Sequence, residues 1–231
     1  MPDPTYTTEI EFVTGSYTDI SSDCYKININ TSMARGVYEP ITPPQMTVIL
    51  DNKNRQFSPQ NSASPYYPNI KIGKRIRVKA TYSGTTYGLF SGMISTYAID
   101  PNPGTPMCNI NAGGELGKLQ KNEIKLSILT DHSITSLFSA VLSASLISSY
   151  VIDTLDEVVG YTWYDNVSPM DKITELLTVG NYYLYTDGNG IVRVKDRYFI
   201  SNGTAVASYN EFYDFSYSMD ETSIINRALI E

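Results

Sequence analysis

Apolar and polar residues alternate with a period of two through the first half of the chain. In CYKININT, Tyr25, Ile27 and Ile29 fall on one face and Lys26, Asn28 and Asn30 on the other, the pattern of a half-buried strand. YTTEIEFV over residues 6–13 alternates in the same way, and Met46, Val48 and Leu50 open another strand. Residues 33–44 read as a connector, with Gly36, Pro40, Pro43 and Pro44. Residues 75–99 read as three strands in a meander, with hairpin chemistry at Ser83-Gly84-Thr85 and a kink or bulge at Gly92. Asp100 to Gly104 forms the next turn, leading into PMCNINA. About seven strands with short turns over roughly 110 residues predict a small antiparallel barrel or sandwich.

The period changes near residue 113. GGELGKLQK is a short helix or a loop. From Asp131, read as an N-cap, Ile134, Leu137, Phe138, Val141, Leu142 and Leu146 recur at helical spacing. A second helix has Ser168 as cap, Pro169 at its first position, Ile173, Leu176 and Leu177 as apolar stripe, and Gly180 as left-handed stop. YYLYTDGNGIVRVKDR is a hairpin turning at DGNG. The fold class is therefore α+β, mainly β. It divides into a β-barrel over 1–112 with a long loop at 51–74, a small α+β domain of two helices and a hairpin over 113–212, and a strand within 213–231. That last strand enters at Ile224 and is still apolar at Leu229 and Ile230. An unpaired apolar edge is a liability, so it is expected to return to the barrel or to pair with a partner.

The long loop is rich in Asn, Ser and Pro, yet carries Phe57, Tyr66, Tyr67 and Ile70. Such a loop reads as an ordered excursion packed on the barrel or on a neighbouring subunit. Ordering its backbone costs on the order of 1 kcal/mol per residue or more. Burying a few aromatic side chains at about 1.5–3 kcal/mol each does not offset that, so backbone hydrogen bonds to the barrel or to a neighbouring subunit must contribute. Prolines suit an extended arm, which favours the neighbour. The candidate subunit-interface residues are Phe57, Tyr66, Tyr67, Ile70, Leu229 and Ile230.

Composition narrows the functional classes. Charged residues are 18% of the 231, below the usual quarter, while tyrosines number 19. Few charges and many tyrosines suit sheet surfaces and protein interfaces. A net charge of −7 argues against a general nucleic-acid binder. The basic group Lys71, Lys74, Arg75, Arg77 and Lys79 reads as a solvated or subunit-facing strand face. The N-terminus lacks a secretion signal and no apolar run approaches a membrane span, so a soluble protein folded in a reducing cytosol is expected. Cys24 and Cys108 read there as packed thiols.

Catalytic and metal chemistry finds little to stand on. His132 has no neighbouring nucleophile motif and reads as a first-turn helix residue. GGELGK has one residue too few for a phosphate loop, with Leu119 where a metal-binding hydroxyl belongs. Asp153, Asp156 and Glu157 resemble a glycosidase couple only in composition. Asp51, Asn52 and Asn54 lack the glycine turn and closing glutamate of a calcium loop, and bonds from side chain to backbone explain them more simply. No cofactor, no metal and no enzymatic activity are expected.

LDN-x-x-x-x-FSP followed by SPYYPN, then G-x-x-x-R-x-x-A-T-Y and a G-x-x-Y-x-L-F-x-G hairpin, resembles the N-terminal part of bacteriophage tail hub and baseplate proteins. SPMDKITELLTVGNYYLYTDGNGIVRVKDR is similar to that family's helix-plus-hairpin unit, and SIINRALIE to the strand leading out of it. The resemblance implies a tail-tube-like barrel with an inserted α+β domain, assembled as a ring of three at the tip of the tail tube. Its implied partners are the tail tube, the end of the tape measure, and fibre or spike proteins. Its implied place is the virion, after synthesis in the host cytoplasm. Subunits of that family commonly carry two such barrels, and this sequence accounts for one. A competing reading is a carbohydrate-binding or adhesin module stacking sugars on Tyr66, Tyr67, Tyr182 and Tyr183; a third is a cell-wall hydrolase.

Overall fold

The computed structural model of the chain describes residues 3–36, 38–100, 104–121 and 123–203. A unit of residues 1–199 holds every element named below, and a second unit begins at Ile200. Leu229 and Ile230 lie outside the described residues, as does the strand expected within 213–231. Described strands and helices make the fold mainly β.

The first sheet has seven strands: β1 (Thr5–Val13), β2 (Ser16–Asp19), β3 (Cys24–Asn30), β5 (Gln45–Asp51), β6 (Arg75–Tyr82), β7 (Thr85–Asp100) and β8 (Met107–Gly113), β4 being the short strand Met33–Arg35. Their order is β2-β1-β6-β7-β8-β5-β3, antiparallel at every step. The alternation read from the sequence is the alternation of burial: Met46, Val48 and Leu50 point into one cluster with Ile10, Phe12, Ile76, Val78, Phe90 and Ile110. One face of the sheet is thus a continuous apolar layer.

Two local features depart from the expected pattern. Tyr25 is 75% exposed although Ile27 and Ile29 lean on the core. The register slips between Cys24 and Lys26, so the extra residue, Tyr25, is turned outward as in a β-bulge. The meander of three strands is two, because β7 runs through Gly92 unbroken for 16 residues. Its irregularities fall at Leu89, against β6, and at Ser95, against β8.

No strand pairing closes this sheet into a barrel among the described residues; β2 and β3 are its edges. With six antiparallel steps between them, these edges run in the same direction, and they are consecutive in the chain. Only Ile20 and a 3₁₀ turn at Ser21–Asp23 separate them. That joint is pinned to β1: Ile20 N donates to Thr8 O at 2.8 Å, and Thr8 N donates to Ser21 Oγ at 2.9 Å. The sheet therefore curls until its edges are joined by the chain itself.

The second half builds around another core. Its elements are β9 (Ile124–Ser133), α1 (Ile134–Ala144), β10 (Tyr150–Ile152), β11 (Val158–Val167), α2 (Pro169–Gly180), β12 (Tyr183–Thr186) and β13 (Val192–Lys195). GGELGKLQK contains a 3₁₀ helix at Glu115–Gln120 that buries Leu116 and Leu119. A four-stranded sheet has the order β10-β13-β12-β4, and β9 with β11 forms a separate two-stranded ribbon. Residues 33–35, read as part of a connector, are therefore a sheet edge: Arg35, Ala34 and Met33 pair with Tyr183, Leu184 and Tyr185.

Both helix termini read from the sequence shift. α1 is capped by Ser133, whose side chain accepts from Ser136 N, while Asp131 lies in β9 with a positive φ of 54°. α2 starts as read, with Ser168 as cap and Pro169 at the first position. It stops on Asn181, at φ 55°, rather than on Gly180. Gly180 is the last helical residue, and only glycine fits there because a Cβ would overlap the ring of buried Tyr182. The two halves meet at a second glycine contact. The turn between β12 and β13 lies on β7 so closely that a Cβ on Gly188 would overlap the Gly88 carbonyl oxygen.

Candidate interaction surfaces

The loop after β5 satisfies its backbone by repetition. Arg55, Ser58, Asn61, Ser64 and Tyr67 N each donate to the carbonyl three residues earlier, at 2.8–3.1 Å. Asn52, 1% exposed, anchors the start: its Oδ1 accepts from Phe57 N at 3.0 Å and its Nδ2 donates to Ser58 Oγ at 3.1 Å. Asp51 Oδ1 accepts from Lys53 N at 3.0 Å, so Asp51 and Asn52 make turn bonds. These bonds lie within the loop, where bonds to the barrel or to a neighbour were expected; at its ends Asn52 N donates to Pro106 O at 2.9 Å and Gly73 N to Ile94 O at 2.7 Å.

The loop's apolar residues close over the first core. Phe57 is 0% and Ile70 4% exposed, both in the sheet's own cluster. Tyr66 stacks on Phe12 of β1 at 4.3 Å between ring centroids, and on Phe57 at 5.5 Å. Three of the residues expected at a subunit interface therefore face their own sheet, because the turn chain folds the loop back on itself. Tyr67, 49% exposed, is the member left on the surface.

Charged groups are engaged locally. Glu9 accepts from Arg77 Nε at 2.5 Å and pairs with Lys79 Nζ at 2.8 Å, and the Arg77 guanidinium lies 3.6 Å from the Tyr17 ring centroid. The Arg77 hydrogen bond holds the Glu9 carboxyl below its ordinary value, against the opposing effect of burial. Lys74 Nζ donates to Phe12 O at 2.6 Å. The basic face thus ties β1, β2 and β6 together.

The residues weighed for chemistry are scattered. His132 lies in β9, with Nδ1 3.0 Å from Ser136 Oγ. Asp153 pairs with Lys195 at 2.8 Å, while Glu157 accepts from the Tyr182 hydroxyl and pairs with Arg197. No group of three or more His, Cys, Asp or Glu is placed to hold a metal among the described residues, where no helix is long and apolar enough to cross a membrane. Burial pushes the Cys108 thiol up to about 12, and raises the Tyr97 phenol as well. Cys108 is a packed thiol, far from the thiolate form that reacts.

Of the tyrosines named as sugar platforms, Tyr182 and Tyr183 are 0% and 4% exposed. The exposed aromatic pair is elsewhere, on β11, where Tyr161 and Trp163 stack with centroids 5.8 Å apart. Its sign in the sequence was one tryptophan in an apolar stretch.

Two tail proteins of known structure share this arrangement. The 43 kDa tail protein of prophage MuSo2 from Shewanella oneidensis matches with a TM-score of 0.57 at 10% identity, over 84% of this chain and 53% of that one. A tail protein from Neisseria meningitidis MC58 matches at 0.53 and 10% identity, over 82% and 50%. This is the fold of bacteriophage tail proteins. β1 to β8 occupy less than half of the chain, so a likeness of this extent takes in the helical half of the tail-protein fold as well as the seven-stranded sheet. A chain in the Francisella PdpA–VgrG complex matches at 0.52 and 13% identity, over 89% and 30%. The chain spans about half the length of the two tail proteins. No protein-family model and no curated protein sequence matches it.

Proposed function

We propose that the chain is a structural component of a bacteriophage tail tip, a hub or baseplate protein that continues the tail tube and anchors tip proteins. The observation that carries this reading is the tail-protein fold, found over more than four-fifths of the chain. The curled first sheet, with edges joined by Ile20–Asp23, is the barrel wall of that reading and stacks on the tube. The helical half forms the platform for fibre, spike or tape-measure ends. Subunits assemble as a homo-oligomer, a ring of three, in the virion. Tyr67 supplies the loop's contact with a neighbour, and Leu229 and Ile230 remain candidates for the same interface. Its role is mechanical, not enzymatic.

Sedimentation at micromolar concentration and electron microscopy of intact tails carrying an epitope-tagged chain test the reading. The expected outcome is a ring of three in solution and label at the distal end of the tail. A stable monomer that is absent from every tail overturns it.

A further inference from the structure

The ribbon of β9 and β11 leaves one face open, and that face has a composition of its own. Tyr161 and Trp163 are 61% and 55% exposed, with ring planes 26° apart. They stand two residues apart on one strand, so both project from the same side. Beside them lies a groove of about 390 Å³ lined by Tyr161, Thr162, Trp163, Asp165, Val167 and Lys172. Ion pairs border the rings: Lys125 with Asp165 at 2.7 Å, and Lys172 with Glu175 at 2.7 Å.

We propose that the Tyr161–Trp163 face is a binding site for a neutral pyranose saccharide. Aromatic faces carry partial negative charge and attract the polarised C–H groups on the flat side of a sugar ring. The hydroxyl rim of the same ring donates to Asp165 and accepts from Lys172. Burying this face in a protein interface would instead desolvate two charge pairs beside the aromatic centre, and Lys, Asp and Glu are depleted from interface cores for that reason. A sugar leaves the pairs partly in water and uses their free lone pairs and protons. The groove volume lies within the range of small-molecule sites. The site stands on the ribbon and the first turns of α2 and does not depend on the tail-tip reading.

Trp163 is the single tryptophan of the chain, so its emission reports occupancy directly. Titration of the full chain with chitotetraose and maltotetraose, with sorbitol as an acyclic polyol control, is the test. The expected result is a saturable change in emission with one of the two tetrasaccharides, at a half-point in the range of about 1 mM. Tyr161→Ser should raise that half-point by about five- to tenfold, and Asp165→Asn should raise it as well. Tyr25→Ser, an exposed tyrosine on β3, should leave it unchanged. Saturation-transfer NMR on Trp163→Ala, with melting to confirm folding, should show loss of transfer to the sugar C–H protons. A response that never saturates, or a half-point indifferent to Tyr161→Ser, overturns the proposal. Emission that shifts with protein concentration alone also overturns it, because a second copy then covers the face.

Discussion

The loop at 51–74 and the ribbon of β9 and β11 invert the usual relation between regular structure and burial. The loop has no strand or helix after Asp51, yet it places Phe57 and Ile70 in the core and stacks Tyr66 on Phe12. The ribbon is paired from Ile124 to Ser133, yet exposes Ile128, Val158, Tyr161 and Trp163. Backbone hydrogen bonds therefore do not decide which segment is sealed. In the loop, repeated three-residue turns keep the backbone satisfied while side chains are aimed at one wall. In the ribbon, only one face has a core to lie on, and two strands make no second layer. An irregular segment is thus structural here, and a regular one is available for contact.

Substitutions separate the two regions by size of effect. Phe57→Ala should cost about 3–5 kcal/mol, the range for a buried aromatic, read as a large fall in the denaturation midpoint. A cost near zero would mean that the loop is a detachable arm. Asn52→Ala should cost about 1–3 kcal/mol, because Phe57 N is left buried without its acceptor. On the ribbon, Tyr161→Ser and Trp163→Ser should each change stability by less than about 0.5 kcal/mol, and a larger loss would make that face part of a core.

Acid sharpens the contrast from the side of β1. Glu9 is held below its ordinary value in the folded chain, chiefly by Arg77, so it favours the folded state at pH values above the usual glutamate range. That contribution is lost as pH falls through the lowered value. Glu9→Gln should flatten the acid limb of the stability profile, while the loop's three-residue turns, made between backbone groups, contribute no slope.

Local signals were legible in the sequence. Alternation places β1, β5 and β6, and Ser168-Pro169 marks the start of α2, because each depends on neighbours a few residues away. β4 was not legible: three residues carry no periodicity, and their partners lie in β12. Asp131 looked like a cap because polar residues precede the apolar spacing. The chain stays extended for two further residues, with Ile134 N donating to Glu157 O, a contact no local pattern announces. The loop's aromatic residues announced burial but not the wall that receives them. Tyr161 and Trp163 were hidden for the opposite reason, since register slips around Tyr164 break the alternation that tells an inner ring from an outer one.

The pairing of β4 with β12 has a consequence for the order of synthesis. Arg35 leaves the ribosome roughly 150 residues before Tyr183, an interval on the order of ten seconds at typical elongation rates. Once β8 has emerged, for the second half of that time, a finished first sheet carries beside it a strand whose mate does not yet exist. The second sheet closes by a contact of long sequence separation, a slow class of event. Nascent chains stalled before residue 183 should therefore present Met33–Arg35 to chaperones, and release of that edge should coincide with emergence of the hairpin.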